Sequence, residues 1–316
     1  MHLMHSTGRR GHRGKDASVV LAVLVPLLML LAASAASAAG ALERIKAAGK
    51  LTLGYGADAR PFSYQDESGK AAGYAIELCS RIAEGVKTDL GVPALALDFV
   101  PVARDEGLRA VAQGKVDILC EPSVPTLITR KQVSFSIPIF GSGIGAVVRQ
   151  DAPQRLKDIL SGRTPPTSPT WRGNADQLLR QNTISVVAGT RDERKVTERL
   201  NELRLIPRIV PVNDYASGLE RLADGRSNIF FGDRAVLLDA VKRSSFAGDL
   251  QVSDRFFTHE ILAFAVQRDD ENLRLVVDAA LSRLFRSNEF RDLYEKWFGR
   301  IDERTLFLFR LNALPE

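Results

Sequence analysis

Hydrophobic and polar positions along the chain form two alternating kinds of pattern. Short apolar runs, as at 51–53 and 184–187, reach a glycine and are followed by polar segments. Apolar residues also recur at every fourth position of the segment 75–90, at Leu78, Ile82, Val86 and Leu90. The first pattern is typical of buried strands and the second of a helix with one buried face. Strands that alternate with helices predict an α/β architecture with mostly parallel sheets. A stretch rich in Pro and Ser at 161–176 predicts a surface loop around Trp171.

One pattern occurs twice without a gap, at 107–119 and at 218–230. Each copy has a short amphipathic segment, a glycine, a basic residue and an apolar run, which predicts a helix, a left-handed turn and a strand. The first strand is followed by Glu121 and the second by Asp233. Ligands of α/β sheets bind at the carboxyl ends of strands, so the repeat predicts two similar lobes with an acid at each binding edge.

The N-terminal segment has the three regions of a cleavable signal peptide. Basic residues at 9–15 precede an apolar run at 17–31, and Ala36-Ser37-Ala38 follows in a small-residue stretch. The alternative is an uncleaved anchor helix. Pro26 within the apolar run and the alanine-rich segment after it argue against this alternative. We therefore predict a signal peptide at residues 1–38 and export to the periplasm.

Charge and histidine content narrow the classes of function. Four basic residues and one acid lie within residues 1–38, so the net charge of +5 falls to about +2 after cleavage. This charge is too small to predict a nucleic-acid partner. The same cleavage removes three of the four histidines and leaves His259, so the sequence predicts no metal site, no Ser-His-Asp triad and no cofactor.

Both cysteines, Cys79 and Cys120, lie after the signal segment. An even pair in an oxidising compartment predicts a disulfide, although two buried free thiols are compatible with the same spacing. Cys79 lies beside the apolar stripe of the predicted helix and should therefore point inward, as a bridge requires. We predict a Cys79–Cys120 disulfide.

Five segments in a fixed order resemble those of the bacterial extracellular solute-binding proteins of the polar amino-acid branch, the receptors of ABC importers. These segments are Pro61-Phe62-Ser63-Tyr64, Gly73-Tyr74-Ala75-Ile76-Glu77-Leu78-Cys79, Phe135-Ser136-Ile137-Pro138, Gly189-Thr190 and Lys296-Trp297-Phe298-Gly299. The resemblance covers about residues 42–299. It implies the type II periplasmic binding protein fold, in which two α/β lobes are joined by two crossover strands and close on the ligand by a hinge.

The resemblance also implies where the chain crosses between the lobes. The first lobe is expected to contain residues 41–145 and 265–316, and the second lobe residues 146–264. The crossover strands are expected near Gly145–Arg149 and Ile261–Val266.

In this family a carboxylate at the position of Asp233 accepts the ammonium group of the ligand. The backbone amides after Gly189, with the Thr190 hydroxyl, suit a ligand carboxylate at a helix N-terminus. A helix cap is an equally good interpretation of Asp233. The carboxylate-binding arginine of the family is replaced by Thr129, so Arg130 and Arg191 are the candidate cations.

Two further positions differ from the family pattern. Gly56 and Ala59 stand where a charged side chain and a stacking aromatic usually recognise the ligand side chain. Asp58, Arg60 and Glu121 are candidates to take over this recognition. Phe62 and Ser123 complete the predicted ligand-binding set.

The sequence and the resemblance together predict a monomeric, non-enzymatic periplasmic receptor. Its expected ligand is an amino acid or a related small polar organic acid, and its expected partner is the permease of an ABC importer. Two alternatives stay open. One is an enzyme on the same scaffold, similar to periplasmic cyclohexadienyl (arogenate) dehydratases, with Glu121 or Glu260 as the acid. The other is a sensory solute-binding protein without an importer.

Overall fold

The computed structural model describes Met1 and residues 40–103, 105–163 and 182–315. The predicted signal peptide after Met1 and most of the predicted loop around Trp171 lie outside the described residues. Within the described ranges, no helix is both long enough and apolar enough to cross a membrane.

Fourteen strands and ten α-helices are present in the described ranges. The strands are β1 (Lys50–Tyr55), β2 (Asp58–Ala59), β3 (Ser63–Gln65), β4 (Ala71–Ala72), β5 (Ala96–Pro101), β6 (Ile118–Ser123), β7 (Val133–Phe135), β8 (Phe140–Ser142), β9 (Ile144–Arg149), β10 (Thr183–Val187), β11 (Arg208–Val212), β12 (Ile229–Asp233), β13 (Leu250–Val252) and β14 (Glu260–Gln267). The helices are α1 (Ala41–Ala48), α2 (Tyr74–Leu90), α3 (Gly107–Ala112), α4 (Gln154–Ser161), α5 (Arg191–Glu202), α6 (Tyr215–Ala223), α7 (Arg234–Arg243), α8 (Glu271–Arg286), α9 (Glu289–Phe298) and α10 (Glu303–Asn312).

Two sheets of similar build carry the two lobes, as the repeat in the sequence predicts. The first sheet has the order β5-β1-β6-β14-β7, and β8 pairs with β14. The second sheet has the order β11-β10-β12-β9-β13. In each sheet three neighbouring strands are parallel, and one strand, β14 in the first sheet and β9 in the second, runs antiparallel to them. The remaining strands pair with this reversed strand and run in the same direction as the parallel three. The α/β class and the two-lobed type II fold are therefore confirmed.

Helix α2 lies where the four-residue period predicts it. It begins after Gly73 (φ 129°) and ends at the left-handed Gly91. A Cβ atom on Gly73 would lie 2.2 Å from the carbonyl oxygen of Phe62, so only glycine allows this approach of the two segments. The apolar stripe of the helix is buried in the core of the first lobe.

The chain passes between the two sheets at Gly143. Ser142 is the last residue of β8 in the first sheet, and Ile144 is the first residue of β9 in the second. The chain returns between β13 and β14, so the two predicted crossovers overlap β9 and β14. The lobe boundaries near residues 145 and 265 stay a prediction.

Gly143 also packs tightly against the returning chain. A Cβ atom at this position would lie 1.9 Å from the carbonyl oxygen of Thr258. The neighbouring Ile144 N–H donates a hydrogen bond to the Thr258 hydroxyl at 3.0 Å. The two connections between the lobes are therefore in direct contact, and no side chain fits between them.

The predicted disulfide is present. The Cys79 and Cys120 sulfur atoms are 2.09 Å apart and join α2 to β6 across a sequence separation of 41 residues. Both residues are fully buried. The bridge therefore holds α2 to β6, the strand that contains Glu121.

We expect the double variant Cys79→Ala/Cys120→Ala to lose about 4 kcal/mol of unfolding free energy, because the unfolded chain regains the entropy of a 41-residue loop. Urea unfolding of the purified protein measures this loss. Reductant should lower the stability of the wild type and leave the variant unchanged. Equal midpoints for the oxidised wild type and the variant contradict the prediction.

We expect Gly143→Ala to destabilise the protein by about 2 kcal/mol, because the new methyl group overlaps the Thr258 carbonyl. Gly141→Ala is the matched control, since a Cβ atom there has no neighbour within 4 Å. Thermal unfolding of both variants tests the difference. If the two glycines tolerate alanine equally well, the close contact at the crossover is wrong.

Candidate functional site

Five polar residues meet where the chain crosses between the sheets, and we name them the hinge cluster. The hinge cluster contains Ser142, Arg191, Asp192, Asp233 and Glu260. Ser142 and Glu260 are opposite each other in the pairing of β8 with β14. Asp233 ends β12, and Arg191 begins α5. The cluster therefore joins both lobes and both crossovers.

Asp233 is held by donors on both carboxylate oxygens. One oxygen accepts from the Ser142 hydroxyl at 2.5 Å, and the other accepts from the backbone N–H groups of Ala235 and Val236 at 2.9 and 3.3 Å. Asp233 is thus the N-cap of α7, which confirms the capping interpretation. Its predicted contact with a ligand ammonium group stays a prediction.

Burial raises the pKa of Asp233, and this effect outweighs the hydrogen bonds from Ser142 and α7 and the charge of Arg191, which lower it. Its carboxylate is therefore costly to keep ionised without a positive partner. A ligand ammonium group beside Asp233 would supply that charge.

Arg191 lies between two acids. Its guanidinium forms an ion pair with Glu260, and it donates a hydrogen bond to Asp192 at 3.3 Å. The side chains of Glu260 and Asp192 are 12% and 11% exposed, whereas that of Arg191 is 28% exposed. The Arg191–Glu260 pair links α5 of the second lobe to the start of β14, where the returning chain enters the first sheet.

The loop before α5 carries the groups predicted to bind a ligand carboxylate. The Gly189 N–H donates to the Glu193 carboxylate at 2.8 Å. The Thr190 hydroxyl donates to the Val187 carbonyl at 2.6 Å and accepts from the Glu193 N–H at 3.2 Å. Thr190 is thus the N-cap of α5, and Glu193 of the same helix accepts the hydrogen bond of the Gly189 amide.

Glu121 and Gly56 meet at the carboxyl ends of β6 and β1. A Cβ atom on Gly56 would lie 2.8 Å from the Glu121 carboxyl carbon, so the absence of a side chain at Gly56 makes room for Glu121. The Gly56 carbonyl accepts from the Ser63 hydroxyl at 2.9 Å. Asp58, in β2, is exposed, and Ser123 donates weakly to the Glu121 carbonyl at 3.3 Å. Their ligand contacts stay predictions.

Arg60 reaches from the first lobe to the second. Its guanidinium lies 4.6 Å from the ring centre of Tyr64 and 3.3 Å from the Asp239 carboxylate on α7. Asp239 also accepts from Arg243 of the same helix at 2.8 Å. Arg60 is therefore a contact between the lobes.

Arg130 lies on a short 3₁₀ turn, Thr129–Lys131, and is exposed. Thr129, at the position of the family's arginine, exchanges hydrogen bonds with Thr126, at 2.9–3.2 Å. The shift by one residue thus leaves a turn-stabilising threonine at the family position. Recognition of a ligand by Arg130 stays a prediction.

Phe62 packs in an aromatic cluster of the first lobe and is 4% exposed. Its ring centre lies 5.0 Å from that of Phe140, 5.6 Å from that of Phe298 and 6.4 Å from that of Tyr74. In this structure the ring stabilises the core, and its predicted ligand contact stays a prediction.

A crevice of about 830 Å³ opens beside Ser142, between α7 and the C-terminal helices. Its lining includes Ala235 and Asp239 of the second lobe and Trp297 and Phe298 of the first. Solvent space between the lobes therefore reaches the edge of the hinge cluster.

Sequence reasoning missed Ser142 and Glu193 and considered Glu260 only as a possible enzyme acid. Ser142 follows the Phe-Gly pair of β8 and directly precedes the crossover glycine, Gly143. Glu193 stands three residues after Thr190, the spacing of a capping pair, and could have been found from that signal.

In the described part of the chain, no group of three or more His, Cys, Asp or Glu residues is placed to hold a metal ion.

We expect Ser142→Ala to destabilise the protein by about 2 kcal/mol at neutral pH, because it removes a donor from a partly buried, ionised carboxylate. The hydroxyl favours the charged form of Asp233, so its loss should matter above the pKa of Asp233 and fade as pH falls through it. Urea unfolding at neutral and acidic pH measures the effect.

Ser185→Ala is the control for this prediction, since the buried Ser185 hydroxyl donates to the uncharged Ile229 carbonyl at 3.4 Å. The unfolding free energy that Ser185→Ala loses should not depend on pH. If Ser142→Ala also has a pH-independent cost, its hydroxyl does not support an ionised Asp233.

Comparison with known proteins agrees with this architecture. The family model described as bacterial extracellular solute-binding proteins, family 3, matches residues 51–300. An L-glutamate/L-aspartate-binding protein of Pseudomonas aeruginosa is 29% identical over 81% of this chain and 79% of its own length.

Two solved structures are similar in sequence and fold. An ancestral amino acid-binding protein, described as a precursor of cyclohexadienyl dehydratase, is 26% identical, with a TM-score of 0.64 over 82% of this chain and 100% of its own. An ancestral arginine-binding protein bound to arginine is 25% identical, with a TM-score of 0.60 over 79% of this chain and 99% of its own. With a family match that spans both sheets and the hinge cluster, the chain belongs to the bacterial extracellular solute-binding proteins, family 3.

Proposed function

We propose that this protein is a periplasmic receptor that binds an amino acid or a related small polar solute and delivers it to the permease of an ABC importer. The observation that carries the proposal is the Asp233 carboxylate at the crossover between the lobes. A partly buried carboxylate whose pKa is raised by burial gains from a positive partner, and the ammonium group of an amino acid is such a partner.

The named relatives support an amino acid as the ligand. Their names refer to glutamate and aspartate in one case and to arginine in another. The three-region N-terminal segment supports export through a cleavable signal peptide. We propose that the exported protein acts as a monomer, with both lobes closing on one solute.

We infer that the protein is not an enzyme. Of the two candidate acids, Glu260 forms an ion pair with Arg191 and the Glu121 carboxyl group packs against Gly56, while Asp233 accepts hydrogen bonds from Ser142 and α7. Carboxylates held in this way suit the recognition of charge. A general acid needs instead a proton that it can place on a leaving group.

The purified protein is first unfolded and refolded to remove carried-over solute. We then expect its melting temperature to rise, and to saturate, as ligand is added. Binding at a hundredfold excess over Kd stabilises the folded state by about 2.7 kcal/mol. Asp233→Asn should weaken binding at least tenfold, because the amide cannot neutralise an ammonium group. Thermal shift and calorimetry with a panel of amino acids and small acids measure both effects.

Asp224→Asn is the matched control, because it removes one acid of the same lobe that pairs with Arg226 at the surface. It should bind as the wild type does. A full panel without any shift contradicts the receptor function. Turnover of prephenate or arogenate by the wild type would favour the enzyme alternative.

A further inference from the structure

Arg191, a candidate cation for a ligand carboxylate, and the backbone amide of Gly189 are in contact with carboxylates of the chain itself. Arg191 is paired with Glu260 and donates to Asp192 at 3.3 Å. The Gly189 N–H donates to Glu193 at 2.8 Å. A ligand carboxylate therefore has to displace an internal acid before it can reach either group.

Two carboxylates of the hinge cluster also share one guanidinium. Asp233 and Glu260 are acids, and Arg191 pairs with Glu260 and acts on Asp233 by its charge, so the three groups together carry one net negative charge. The Asp192 and Glu260 side chains are only about one tenth exposed, so water and salt screen them less than they screen surface acids. A poorly screened site of net negative charge attracts cations and repels anions.

Building on the proposed receptor function, we propose that the site selects a solute of net positive charge and that Glu260 sets this selectivity. The solute class is a basic amino acid or the amine that remains when its carboxylate is removed. The ammonium group is recognised by Asp233, while Glu260 keeps Arg191 from attracting an acidic solute.

The position of Glu260 gives it this role. It is opposite Ser142 in the β8–β14 pairing, and the Ser142 hydroxyl holds Asp233 at 2.5 Å. Glu260 therefore lies between the two halves of the predicted site. Removal of its charge frees Arg191 for a ligand carboxylate and lowers the negative charge beside Asp233.

The test uses the refolded, ligand-free protein at neutral pH and low salt. Calorimetry compares L-arginine, L-lysine, agmatine and cadaverine with L-glutamate and L-aspartate. We expect at least one of the four cations to bind at least tenfold more tightly than either dicarboxylic amino acid. Added salt should weaken the binding of the cation.

Glu260→Gln should reduce the preference for the cation at least tenfold, mainly because the acidic amino acids bind more tightly. Glu202→Gln is the matched control on α5, since Glu202 is 63% exposed and pairs with Arg199 at the surface. It changes the net charge of the protein equally and should leave the preference unchanged. The wild-type preference is decisive even if Glu260→Gln fails to fold.

Three results overturn the inference. Acidic amino acids that bind the wild type as tightly as the cations refute the selectivity and leave the receptor function intact. An unchanged preference in folded Glu260→Gln refutes the role of Glu260. Absence of binding by every charged solute refutes the inference alone, and the proposed function fails with it only when the full panel of amino acids and small acids also gives no shift.

Discussion

The pairing of β14 with β8 is the interaction on which the arrangement of the two lobes depends. β14 is antiparallel to β6, β7 and β8, so the returning chain is built into the first sheet over its whole length. Its first residue, Glu260, reaches Arg191 of the second lobe, and its partner in register, Ser142, reaches Asp233. One strand pairing thus places four charged or polar groups from distant parts of the sequence within contact distance.

Local pattern predicted much of this fold because the signals are short-range. The four-residue period of the segment 75–90 predicted α2, and the glycine that ends each repeated helix predicted the turn before β6 and β12. The disulfide was predicted from export and an even cysteine count, and the inward direction of Cys79 followed from the helix period. Each of these inferences needs only residues that are close in sequence or a property of the compartment.

The hinge cluster could be predicted only in part. Asp233 and Arg191 were found because they stand at the ends of recognisable strands and helix starts. Their partners were not found, because the Arg191–Glu260 pair joins residues far apart in the sequence and depends on the crossing of two chains at Gly143. The spacing of Thr190 and Glu193 indicates a capping pair, but it does not distinguish the Gly189 amide from other amides at the start of α5 as the group that Glu193 covers. Phe62 illustrates a further difficulty, because an aromatic residue near a cleft serves equally well as core.

Arg60 and Asp239 connect the lobes at a slightly more exposed position than the hinge cluster. Their atoms lie 3.3 Å apart, and their side chains are 36% and 15% exposed, against 28% and 12% for Arg191 and Glu260, so the medium screens this pair somewhat more. The pair must separate whenever the lobes move apart. Salt therefore weakens this outer contact between the lobes more than it weakens the Arg191–Glu260 pair. The two lobes are thus tied by two ion pairs that differ in how strongly the medium screens them.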